Sequence, residues 1–144
     1  MAWGKNSEYR HGRSGAKGDA GEDLVEFFLE QKAINYERKN DFYSQTKLKI
    51  DFIVDGVAMD VKTNAFKDFL AVEIERHGGK PGWIYTTTAE EIYGVDLDKK
   101  EIYRYNVEKM KEYVESQMHR AKKTKYGDLL IWVHKENEII ERLQ

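Results

Sequence analysis

The stretch from Ile50 to Asn64, IDFIVDGVAMDVKTN, constrains the chain more than any other because it carries its own turn. Asp55-Gly56 is a two-residue hairpin signal, since Asp and Gly tolerate the positive φ angles of a type I′ turn. With that turn placed, residues equidistant from it face one another. Val54 then pairs with Val57, Phe52 with Met59 and Ile50 with Val61, so one side of the ribbon is wholly apolar. On the other side Ile53 pairs with Ala58, Asp51 with Asp60 and Lys49 with Lys62. Like charges directly opposite destabilise a sheet. Something must hold Asp51 beside Asp60.

A bound cation answers that question. At ~5 Å and an effective dielectric of ~20 the two carboxylates repel by about 3 kcal/mol, and a divalent ion between them reverses the sign. Oxygen ligands, with no cysteine and no histidine cluster in the chain, favour Mg²⁺, with Mn²⁺ as its substitute, over zinc. The backbone carbonyl of Val61 is a further oxygen donor. Lys62 lies two residues beyond Asp60 and shares its face, where an ammonium could hold a water or a scissile phosphate. Glu22, on the side of the first helix that carries Val25 and Leu29, is a third carboxylate that can look onto the sheet. Glu73, from a later strand, is a fourth. Clustered acids, a metal and a lysine suit phosphodiester hydrolysis. The competing reading is a solvent-facing strand whose charges only avoid the core.

The remaining elements follow from periodicity. Residues 1–17 are Gly-rich and basic and read as a flexible arm, with residues 18–144 as a single domain. Ala20, Leu24, Phe27 and Phe28 predict a helix from Asp19 to about Ile34. Tyr36–Lys39 reads as a short strand, Lys47–Lys62 as the hairpin and Leu70–Arg76 as another strand. HGGKPGW is a loop, WIYTTTAEEIYGVDL is strand material, and Asp98-Lys99-Lys100 turns into EIYRY. Asn106 can cap a helix with the stripe Val107, Met110, Val114 and Met118. DLLIWVH predicts a central strand and EIIERL a last element. The fold class is α/β (α+β): a leading helix, then a mixed, mostly antiparallel sheet flanked by helices.

Charge and length limit the partners. A net charge of −2 excludes a uniformly basic nucleic-acid binder, but two stretches reverse the sign. Arg10, Arg13 and Lys17 lie in the arm, and Arg120, Lys122, Lys123 and Lys125 in HRAKKTK. Both are candidate DNA phosphate contacts, against the alternative of solvated charge. No apolar run reaches the ~20 residues of a membrane helix. The start lacks a secretory pattern and there are no cysteines, so the expected compartment is the cytoplasm.

The order GEDLVEFF, KIDFIVDG, MDVKTN resembles the PD-(D/E)XK nuclease superfamily. The resemblance implies a restriction-endonuclease-like core. Asp51 and Asp60 would be its sheet-borne acids, Lys62 its lysine and Glu22 its helical acid. Ile50 stands where the proline of the family name is expected. The segment VEIERHGGKPGWIYTTTAEEIYGV is similar to the region after the lysine in small phage-type nucleases, which implies a phage or mobile-element origin. The leading Gly-x-x-x-Glu helix, Gly18 to Glu22, is shared with Holliday-junction resolvases, which act as homodimers. The implied activity is a Mg²⁺-dependent DNA nuclease, endo- or exonucleolytic. The alternative is a catalytically silent module of the same fold that binds nucleic acid or a protein.

Overall fold

The computed structural model describes residues 12–144, with side chains from residue 16 onward. Helix α1 (Gly12–Gln31) leads, and it begins within the stretch that the sequence assigns to the arm. Its buried stripe is Gly21, Glu22, Val25, Phe28 and Leu29. Phe27 is 58% exposed and Ala20 also faces solvent, so the inward face lies one position from the stripe expected. Of the adjacent pair Phe27-Phe28, one helix face can take only one ring inward.

The hairpin forms as its turn dictates. Asp55 and Gly56 have φ of +49° and +82°, and strands β2 (Phe52–Val54) and β3 (Val57–Lys62) pair Phe52 with Met59, Ile53 with Ala58 and Val54 with Val57. The expected register then breaks. The Asp51 N–H donates to the Met59 carbonyl at 2.8 Å, so Asp51 and Phe52 both oppose Met59, which is a β-bulge. Before it, Ser44–Leu48 form a π-helical turn, and Lys49 sits at φ +61° in the left-handed region. Lys49 and Ile50 therefore do not pair with Lys62 and Val61. Strand β1 (Tyr36–Arg38) pairs with β2 on its other edge.

After β3 come β4 (Ala65–Phe66), β5 (Phe69–Arg76) and β6 (Lys80–Pro81). Trp83–Thr86, expected as strand, is instead a helical turn, α2. Gly82 explains the compaction, because a Cβ there would fall 2.2 Å from the Glu73 carbonyl oxygen. Only a glycine lets the chain cross β5 this closely. Strands β7 (Glu91–Asp96) and β8 (Glu101–Asn106) follow. Then helix α3 (Val107–Ser116) is capped by the Asn106 side chain, which accepts from the Lys109 N–H at 2.9 Å. Met118 falls beyond it in a 3₁₀ turn, Met118–Arg120, and is 42% exposed. Strands β9 (Lys122–Lys123), β10 (Leu129–His134) and β11 (Glu141–Arg142) complete the chain.

These strands make two sheets rather than one. The first runs β1-β2-β3-β7-β8-β11, with β3 and β7 parallel and every other pair antiparallel. The second runs β4-β5-β10-β9, with β6 added beside β5. Val25, Phe28 and Leu29 of α1 pack on Phe52, Met59, Val61, Tyr93 and Val95, covering one face of the first sheet. The other face meets Leu70 and Val72 of β5, Ile131 of β10 and Met110 of α3. Gly94 brings β7 close to Leu70, whose Cδ1 would be 3.0 Å from an added Cβ. No helix among the described residues is long and apolar enough to cross a membrane.

Candidate active site at the bulged hairpin

Alternation along β3 sends Met59 and Val61 toward α1, and Asp60 and Lys62 toward the opposite side. The bulge re-aims Asp51. Its Oδ2 accepts the Val61 N–H at 2.7 Å, taking the place of a backbone partner in the ladder. This bond holds the Asp51 carboxylate against β3, where it faces Asp60. Both aspartates are buried, with 7% and 4% of their surface exposed.

Burial pushes the Asp60 carboxyl up to about 8; Lys62 opposes the shift, and the neighbouring Asp51 charge and its hydrogen bond reinforce it. The repulsion of the pair is thus relieved without an ion when Asp60 keeps its proton. Asp60 Oδ2 has no hydrogen-bond partner, and the Lys62 Nζ lies 3.6 Å from it. A buried carboxylate oxygen without a partner is a costly feature. With Asp60 ionised, the two aspartates would offer carboxylate oxygens of the kind Mg²⁺ prefers.

Trp83, Thr87 and Tyr105, which the sequence does not single out, complete the surroundings together with Glu73. The Lys62 Nζ sits 4.9 Å from the centroid of the Trp83 ring, a cation–π contact that orients it. The Trp83 N–H in turn donates to Glu73 Oε1 at 3.1 Å. Burial raises the Glu73 carboxyl, although the Trp83 N–H and Lys62 both draw it down. Thr87 approaches Asp60 and favours its ionised form. Asp60 likewise adds to burial in pushing the Tyr105 hydroxyl well up. Trp83 and Thr87 were hidden because WIYTTT reads as strand, and only the turn at Gly82 folds it over Lys62.

Glu22 is buried on α1, and its Oε1 lies 3.4 Å from an Arg38 guanidinium nitrogen. Among the described residues no three acidic or histidine side chains converge to hold a metal. Asp51 and Asp60 are brought together; Glu22 meets Arg38 instead, and Glu73 meets the Trp83 N–H. Arg10 lies outside the described residues, as does the side chain of Arg13, while Lys17 is exposed. Arg120, Lys122, Lys123 and Lys125 are all exposed on the 3₁₀ turn and the β9–β10 hairpin.

The fold is that of a known nuclease. The chain superposes on a solved bacterial homing endonuclease, I-Ssp6803I, with a TM-score of 0.55 at 13% sequence identity, over 88% of this chain and 82% of that one. No protein-family model and no curated protein sequence matches the chain. At this identity the likeness is one of fold. The roles of individual side chains rest on the geometry described above.

Proposed function

We propose that this protein is a metal-dependent DNA nuclease of the PD-(D/E)XK type. The observation that carries the reading is the buried Asp51–Asp60 pair with Lys62 beside it, one carboxylate oxygen unpartnered, on a fold shared with a homing endonuclease. Asp51, Asp60 and the Val61 carbonyl would hold Mg²⁺, with Mn²⁺ as its substitute. When bound, the ion would polarise the phosphodiester and make its attack by water feasible at neutral pH. Asp60 would give up its proton on loading and present both oxygens. Lys62, steadied by Trp83, would orient the attacking water and stabilise charge that develops on the phosphate. Glu73 would fix the Trp83 turn that steadies Lys62, and Glu22 would extend the acid set through water from the helix side. Arg120, Lys122, Lys123 and Lys125 would meet DNA phosphates. A Holliday-junction resolvase acting as a homodimer is the specific version suggested by the leading helix.

A cleavage screen over single-stranded, duplex, flapped and four-way DNA, with Mg²⁺ and with chelator, tests the reading. Wild type should cut at least one substrate only with metal. Asp60→Asn and Lys62→Ala should lose cleavage by about 10²-fold or more while unfolding cooperatively as wild type does. DNA binding by wild type with no cleavage of any form would instead favour the silent-module alternative. Wild-type turnover by either variant would remove the site.

A further inference from the structure

The outer face of the second sheet carries a groove that the acid pair does not use. Along β10, Ile131 and Val133 face the core, and the alternation turns Trp132 outward. Phe66 of β4 is 60% exposed and meets Trp132 edge-on, with ring centroids 6.3 Å apart. Phe69 of β5 continues this aromatic floor. Arg120 and Lys122 close one side, and the Lys67 Nζ stands 5.3 Å over the Phe66 ring at the other. The groove is open and holds about 710 Å³.

Its chemistry selects an occupant. None of the described residues lining it is acidic, although the whole chain carries a net charge of −2. The groove is therefore a local reversal of sign around aromatic rings. A purely apolar peptide would leave the cations unanswered. A closed duplex would offer phosphates but no base faces, because its bases are already stacked on each other. An unpaired strand offers both: π-faces for the rings and phosphates for the cations.

Position adds a second argument. Glu73, whose carboxylate anchors Trp83 above Lys62, lies on the same face of β5 as Phe69. Four residues of extended strand separate them by about 13 Å. A strand lying in the groove would run along the strand that carries Glu73, the residue that holds Trp83 over Lys62.

We propose that this groove binds a single-stranded DNA segment, with an unpaired base against Phe66 and Trp132 and its neighbouring phosphates on Lys67, Arg120 and Lys122. The inference rests on the nuclease reading and names its substrate class: DNA with an unpaired segment beside the bond to be cut.

Binding measured in chelator reads the groove independently of catalysis. The probes are a labelled oligothymidylate and a blunt duplex of equal length, followed by fluorescence anisotropy. Phe66→Ala should weaken the single strand about tenfold while changing the duplex by less than about twofold, and Phe66→Tyr should retain wild-type affinity. Trp132→Phe should lose most of the tryptophan quenching that the oligothymidylate causes in wild type. Phe66 is largely exposed, so its truncation leaves the core intact, and a wild-type unfolding curve for each variant checks this. Equal single-strand affinity in Phe66→Ala and wild type would overturn the proposal, as would an equal loss for both DNAs. Aromatic-dependent binding without any cleavage in Mg²⁺ would overturn the nuclease reading and leave the groove standing.

Discussion

At Asp60 two opposing influences act on one carboxyl group: burial and Asp51 favour the protonated form, Lys62 the ionised one, and burial wins. An unfolded aspartate titrates near ~3.9, whereas the folded Asp60 titrates at about 8. Between those values the unfolded chain releases a proton that the folded chain keeps, so rising pH costs stability. The contribution is fully present below about pH 4 and is lost as pH climbs through about 8. Asp60→Asn lacks this titration. In chelator it should therefore gain on wild type as pH rises, reaching at least ~1 kcal/mol near the folded pKa. Thermal unfolding of both proteins across this range checks it, and a pH-independent difference would rule out the raised pKa. Asp51 is different, because its Oδ2 already accepts the Val61 N–H. Asp51 comes to Asp60 and Lys62 through the bulge, whereas those two were legible together because turn position and strand alternation are local. The proton on Asp60 was not, because it depends on burial by distant segments.

At the scale of elements, α1 meets the end of β3 through Gly21, where an added Cβ would stand 1.9 Å from Thr63 Oγ1. Gly21→Ala should therefore push the helix off the strand that carries Asp60 and Lys62, at a cost of about 1–3 kcal/mol. Thr63→Ala in the same chain should recover part of that loss, since neighbouring sites couple. Denaturant unfolding of the two single variants and the double variant measures the coupling, and strict additivity would mean that the contact is not the cause. The β9–β10 hairpin makes an electrostatic prediction. Neutralising Arg120, Lys122, Lys123 and Lys125 together should flatten the dependence of DNA affinity on salt by up to about four counterion units. Titrations at several salt concentrations check this, and an unchanged slope would return these residues to plain solvated charge. The Asn106 cap and the Asp55-Gly56 turn could be read from a few adjacent residues. The helical turn at Trp83–Thr86 could not, because its cause is the close passage of Gly82 over Glu73.

For the whole molecule, the parallel pairing of β3 with β7 closes a crossover that contains β4, β5, β6 and α2. That crossover carries Trp83 to Lys62 and Thr87 to Asp60, so the site draws on segments that only the complete fold unites. A cation bound there would stabilise the folded state by mass action. Millimolar Mg²⁺ should raise the unfolding temperature of wild type and leave Asp60→Asn nearly unmoved. The measurement is thermal unfolding in chelator and in Mg²⁺; an equal shift in both proteins would mean that the ion binds elsewhere.

The sequence by itself determined the turn, the register beside it, the apolar face of the hairpin and the presence of Asp60 and Lys62 on the other. These follow from the conformational freedom of two residues and from a period of two. It also pointed to a leading helix with Glu22 on its buried side. Tertiary structure alone decided that Asp51 reaches Asp60 through a bulge rather than across a regular ladder. It also decided that Glu22 pairs with Arg38, that the strands divide into two sheets, and that aromatic and basic residues distant in sequence meet in one groove. Each of these depends on which segments pack together, and contacts between distant segments leave no period in the chain from which they could be read.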